Sequence, residues 1–166
     1  MNSATTARSV ERSITLVRDY PVAPERVFAA WTEPDQLEWF SGLPTTQSHP
    51  SVDLRPGGFW RLTLQEGEGG RSYPTGGLYH VVEPPHRLVF SWGAVGGWPD
   101  LDPDDLDAVP TVSLDFTATG TGTRMTAALS LSAALDEAQV AHWFGLGIRE
   151  GWTTTIDRIA QHLSRR

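Results

Sequence analysis

Few residues in this chain have side chains suited to chemistry, and their spacing narrows them further. The five histidines are His49, His80, His86, His142 and His162, and no two stand at a spacing that would present a metal from one helix face. Cysteine is absent, which removes disulfides, thiolate nucleophiles and Cys-ligated zinc or iron–sulfur clusters. Lysine is absent too: all 13 basic residues are arginine, so no Schiff base or phosphate-loop lysine is available. Asp100, Asp102 and Asp104 alternate like the start of a calcium loop, but Asp105 stands where that loop needs glycine and Thr111 where it needs glutamate. A solvated acidic loop is the expectation, with no metal and no cofactor. No nucleophile elbow and no Ser-His-Asp order is present. Tyr79, His80, His142 and Glu150 remain as acid or base groups, on condition that at least two meet in one cavity.

The elements that must position these groups follow from periodicity. Ile14, Leu16 and Tyr20 alternate with polar residues over Ser13–Tyr20, a half-buried strand in which Val17 is the odd residue out. Pro21 ends it. Pro24 opens a short helix with Val27, Phe28 and Trp31 on one stripe, and Pro34 opens a second carrying Leu37, Trp39 and Phe40, closed by Ser41-Gly42. Strands are then predicted at Ser51–Leu54, Phe59–Gln65, Gly77–Val82, Leu88–Trp92, Thr111–Ala118 and Met125–Leu131. Their connections are Arg55-Pro56-Gly57-Gly58, a glycine-rich turn at Gly67–Gly70, Glu83-Pro84-Pro85-His86, a long acidic loop over 93–110 and Gly120-Thr121-Gly122. The 93–110 loop is the segment expected to be mobile.

A helix beginning near Asp136 buries Phe144, Ile148, Trp152, Thr155, Ile159 and Leu163, and turns Arg149, Glu150, Thr153, Asp157, Gln161 and Ser164 outward. Gly145, Gly147 and Gly151 sit inside it, each costing ~1 kcal/mol relative to alanine. On one unbroken helix Trp143 would project away from the buried stripe, so a break near Gly145–Gly147 is expected. One strand, two short helices, a six-strand meander and a long terminal helix define an α+β chain. Residues 1–11 read as a disordered tail and 12–166 as one domain.

The segments APERVFAAWTEPDQLEWF, VDLRPGGFWRLTL, GGLYHVVEPPHRLVFSW, GTRMT and EGWTTTIDRIAQHL resemble the START/SRPBCC helix-grip superfamily, in its activator-of-heat-shock-chaperone-ATPase (Aha) type branch. The resemblance runs from about Ile14 to Leu163. It implies a curved seven-stranded antiparallel sheet gripping the C-terminal helix around a cavity. Relatives include lipid carriers, hormone receptors, cyclases, self-resistance proteins and a co-chaperone domain, and many bacterial members have no assigned activity. Two segments depart from the pattern: the acidic loop GWPDLDPDDLDAVP and the apolar, glycine-rich stretch before the final helix.

Aromatic walls with a few polar anchors are what a small-molecule pocket requires. The residues expected to line it are Trp39, Phe40, Trp60, Leu62, His80, Phe90, Trp92, Phe116, Met125, His142, Trp143, Gly147 and Gly151. The two glycines are read as a cavity floor, where a ligand approaches helix backbone. His86 and His162 are expected at the surface. The functional expectation is therefore binding of a small hydrophobic or aromatic molecule. The alternatives are a cyclase- or hydrolase-like enzyme and a chaperone-associated interaction domain. A net charge of −7 disfavours nucleic acid, and no apolar run is long enough to cross a bilayer. Without an apolar N-terminal core, a cytoplasmic protein is expected, with a homodimer possible.

Overall fold

The computed structural model describes residues 11–66 and 69–165. The tail predicted at 1–11, apart from Glu11, lies outside them, as do two residues of the glycine-rich turn.

Seven strands form one curved antiparallel sheet: β1 (Ser13–Tyr20), β2 (Ser51–Val52), β3 (Phe59–Gln65), β4 (Ser72–Glu83), β5 (Arg87–Trp92), β6 (Thr111–Ala118) and β7 (Thr123–Ser130). The order across the sheet is β1-β7-β6-β5-β4-β3-β2, so β2 to β7 is a simple meander and β1 closes on the far side of β7. Alternation dictates the faces. Ile14, Leu88, Phe90, Val112, Leu114, Phe116, Met125, Ala127 and Leu129 turn to one side and are buried there with the helices. Val17 points away and is 48% exposed.

β4 begins at Ser72, five residues before the predicted Gly77. Pro74, Gly76 and Gly77 conceal it, because none favours a strand intrinsically. Gly77 has a packing reason. A Cβ there would come within 2.5 Å of Trp60 Nε1 and 2.6 Å of Phe90 Cδ2, so two core rings occupy the space of the missing side chain.

Between β1 and β2 lie α1 (Pro24–Thr32), a 3₁₀ turn at Pro34–Gln36, α2 (Glu38–Ser41) and α3 (Thr45–Ser48). Pro34 forces Glu33 into extended backbone and ends α1. The second predicted helix is thereby split into the 3₁₀ turn and α2, and α3 is an additional turn of helix. Gly42, at φ 71°, takes the left-handed conformation that terminates α2.

The C-terminal region is two helices. α4 (Glu137–Gly145) starts in a capping box: the Asp136 carboxylate accepts from Gln139 N and Gln139 Oε1 accepts from Asp136 N, both at 2.8 Å. Gly147, at φ 82°, breaks the helix where the glycines suggested, and α5 (Ile148–Ser164) follows. Its buried stripe is Ile148, Trp152, Ile156, Ile159 and Leu163. Ile156 takes the place predicted for Thr155, which is only partly buried. His162 also corrects the expectation of a surface residue: it is 4% exposed and hydrogen-bonds Gln36 Oε1 at 3.2 Å.

The 93–110 loop is pinned, contrary to the mobile segment predicted. Leu101 and Val109 are buried, Gly93 N donates to Gly76 O at 2.8 Å and Trp98 N donates to Pro74 O at 2.8 Å. Asp107 accepts from Ser132 Oγ at 2.6 Å.

Candidate functional site

The space between sheet and helices, where a cavity was expected, is filled largely by rings. Trp31 meets Trp39 at 4.7 Å between centroids, Trp39 meets Phe40 at 5.6 Å, and Phe40 meets Trp60 at 5.0 Å. Trp60 continues to Phe90 at 5.4 Å, all in edge-to-face geometry. Indole N–H groups are consumed within the core: Trp39 donates to Ala30 O at 2.8 Å and Trp92 to Thr75 Oγ1 at 3.2 Å. Trp39 and Trp92 therefore offer faces and edges, not donors.

What remains is a groove of about 260 Å³, open to solvent along one side. One wall is the first three turns of α5, from Gly147 to Arg158. Gly151 is part of this wall, and a Cβ built on it would stand in open space, meeting no atom within 4 Å. Trp152 and Trp92 form the floor, 5.2 Å apart and nearly perpendicular, and Phe40 of α2 packs on Trp152 at 5.6 Å. Leu64, Gln65 and Tyr73 close the sheet side. Trp98, from the pinned loop and 41% exposed, stands at the rim against Trp92 at 5.2 Å.

The break at Gly147 settles where Trp143 goes. Half-buried on α4, it packs against Trp92 at 6.2 Å and Trp98 at 6.4 Å, behind the rim. The helix break and the loop thus meet at one mouth.

Among the described residues that line the groove Arg158 is the one with a charged side chain, and the Glu150 carboxylate stands outside the lining, 3.9 Å from where a Gly147 Cβ would lie. Arg158 Nη2 donates to Phe40 O at 3.1 Å and Thr155 Oγ1 at 3.4 Å. Its Nε is shut off from water without a hydrogen-bond partner, and burial draws its pKa below the ordinary arginine value. An unmatched buried donor of this kind costs on the order of 1–3 kcal/mol. Gly42 leaves room for the guanidinium, since a Cβ there would lie 2.7 Å from Arg158 Nη1. On the other side of Arg158 a second depression of about 290 Å³ contains Glu38, Gln161 and His162.

Of the residues predicted to line the pocket, Phe40, Trp92, Gly147 and Gly151 do line the groove. Trp39 and Trp60 stand directly behind Phe40. Leu62, Phe90, Phe116 and Met125 are corrected to solid core, at most 2% exposed, because neighbouring rings and aliphatic chains fill the space in front of them. His80 is corrected to the opposite face of the sheet. It sits at the β-bulge between Tyr79 and Val81 and shares a 2.7 Å hydrogen bond with Ser91, whose neighbours Phe90 and Trp92 point the other way. Its partial burial lowers its pKa. His142 is exposed on α4, in a separate open depression with Ala108 and Leu135. Tyr79 is buried against Phe90, with its hydroxyl unpartnered and its pKa raised by burial. Glu150 is exposed. Among the described residues, no hydrogen bond joins any two of Tyr79, His80, His142 and Glu150.

Sequence reasoning missed Thr155, Arg158, Trp98 and Tyr73 as lining residues, and placed Trp152, which forms the floor, in the buried stripe alone. A signal for two of them was present: Gly147, Gly151, Thr155 and Arg158 follow at steps of four, four and three, one face of a helix. Trp98 and Tyr73 carried none, since both depend on how the loop folds back onto β4.

Comparison with known proteins agrees with this architecture. Residues 21–164 match the family model described as Activator of Hsp90 ATPase homolog 1-like protein. A solved structure from Nitrosomonas europaea is similar over 95% of this chain and 99% of its own, at 26% identity and a TM-score of 0.71. One from Arthrobacter aurescens is similar over 93% and 87%, at 23% identity and a TM-score of 0.72. An AHSA1-like protein from Aeromonas hydrophila is similar over 92% of each chain, at 20% identity and a TM-score of 0.65. No curated protein matches the chain. With a family model covering nearly all of it and a sheet and helices in helix-grip order, the chain belongs to the Activator of Hsp90 ATPase homolog 1-like family.

Proposed function

We propose that this protein binds a small, flat hydrophobic or aromatic molecule in the groove beside α5. The observation that carries the reading is the missing side chain at Gly151, which opens helix backbone onto a floor of Trp92 and Trp152. A volume of about 260 Å³ sits at the small end of ligand pockets. Burying roughly 200 Å² of apolar ligand surface there gains about 5 kcal/mol before the costs of association, so modest affinity is expected. An acid–base enzyme is the weaker reading, because its four candidate groups do not converge.

The test is tryptophan fluorescence on titration with neutral 1-naphthaleneacetamide. A saturable change is expected, and Gly151→Leu, which puts an isobutyl group into the open space, is expected to weaken it at least tenfold while the protein stays folded. A response that never saturates, or that survives Gly151→Leu unchanged, sinks the proposal.

A further inference from the structure

The groove is lined unevenly, and the unevenness names a ligand class. At the start of α5 the lining is apolar, with Leu146 just before the break and Ile148 just after it, while Thr155 and Arg158 mark the third turn. From Gly147 to Arg158 is about 16 Å at 1.5 Å per residue. Apolar surface and a cation therefore stand at opposite ends of one trough.

Arg158 is short of partners. It takes part in no ion pair among the described residues, although the chain has 20 acidic residues against 13 arginines. In the adjoining depression Glu38 is directed instead to His162 Nδ1 at 3.9 Å. Only Nη2 is committed to protein acceptors, through Phe40 O and Thr155 Oγ1. Those two contacts tether one end of the guanidinium, and Gly42 keeps the space beside Nη1 clear. A held cation with unmatched donors, on a wall where no described lining residue is a carboxylate, is a seat for an anion.

Resting on the reading of the groove as a hydrophobic binding site, we propose that its occupant is an amphipathic carboxylate. The flat apolar body lies over Trp92 and Trp152, and the carboxylate meets the Arg158 guanidinium. The contact with Phe40 O alone would make Arg158 a clamp between α5 and α2, and the experiment separates the two roles.

The probes are 1-naphthaleneacetate and 1-naphthaleneacetamide, equal in shape and different in charge, titrated against wild type, Arg158→Gln and Gly151→Leu. Wild type is expected to bind the carboxylate at least tenfold more tightly than the amide. Arg158→Gln is expected to erase that preference by weakening the carboxylate alone, and Gly151→Leu to weaken both. Should Arg158→Gln fail to fold, the Arg158 Nε–H resonance of wild type decides. It is expected to move with the carboxylate and stay with the amide. Equal affinities for the two probes in wild type, or a preference that persists in Arg158→Gln, would overturn the carboxylate assignment while leaving the groove reading intact. Binding of neither probe overturns both. A carboxylate affinity untouched by Gly151→Leu places the anion in the depression beside Glu38 and overturns the assignment as well.

Discussion

The two halves of the α5–sheet interface differ in kind. Under β1, β6 and β7, Ile14, Leu16, Val112, Ala127 and Leu129 meet Ile156 and Trp152 around a void of only about 10 Å³. Under β3, β4 and β5 the same helix faces Trp92 and the groove of about 260 Å³. Aliphatic chains interdigitate to crystal-like density, whereas large rings meeting edge to face beside two glycines leave a trough. One helix thus supplies stability with the face that carries Ile156 and an opening with the face that carries Gly151 and Thr155. The proposed binding site lies where packing was left incomplete.

That contrast is broken most severely on the packed side. Ile156→Ala, at 2% exposure, is expected to cost about 2–5 kcal/mol in urea unfolding and to leave the affinity for naphthaleneacetamide unchanged. Joint loss of stability and binding would show that the halves are not separable. Gly77→Ala is intermediate. It drives a methyl into Trp60 and Phe90 behind the groove, for an expected cost of about 1–3 kcal/mol in the same measurement and a small loss of probe affinity.

His80 carries the smallest effect, and it belongs to neither half. Burial favours its neutral form, so its folded pKa is lowered and the unfolded chain binds the proton more readily. Its contribution to stability is therefore present above the ordinary histidine value of about 6.5 and is lost as pH falls through the lowered folded value. Denaturant midpoints across this range are expected to fall less in His80→Gln than in wild type. An identical pH profile would show that its burial has no energetic consequence.

The solid half was the more legible in sequence. Period-two alternation places Ile14, Val112, Leu114, Ala127 and Leu129 on one face without any knowledge of partners, and turn chemistry locates most strand ends. Gly147 also announced its own break, because three glycines in one helix demand a reason. The groove was legible only in part. Whether Phe90 and Met125 line a space or fill it depends on the facing rings, which helical and strand periods do not report. His162 looks like a surface residue until Gln36, 126 positions away, folds over it. Arg158 looks solvated until Gly42 and the Phe40 carbonyl receive it. Sequence period identifies a face, while burial of a polar group is decided by what covers that face.

The most direct test of the account is backbone and indole NMR of the wild-type protein titrated with 1-naphthaleneacetamide. The groove reading predicts shifts concentrated at Gly147, Gly151 and Thr155 and at the indole N–H of Trp92, Trp98 and Trp152, with Ile14, Val112 and Leu129 unmoved. Shifts absent at Gly151, or gathered at Ala138 and His142 instead, would contradict it.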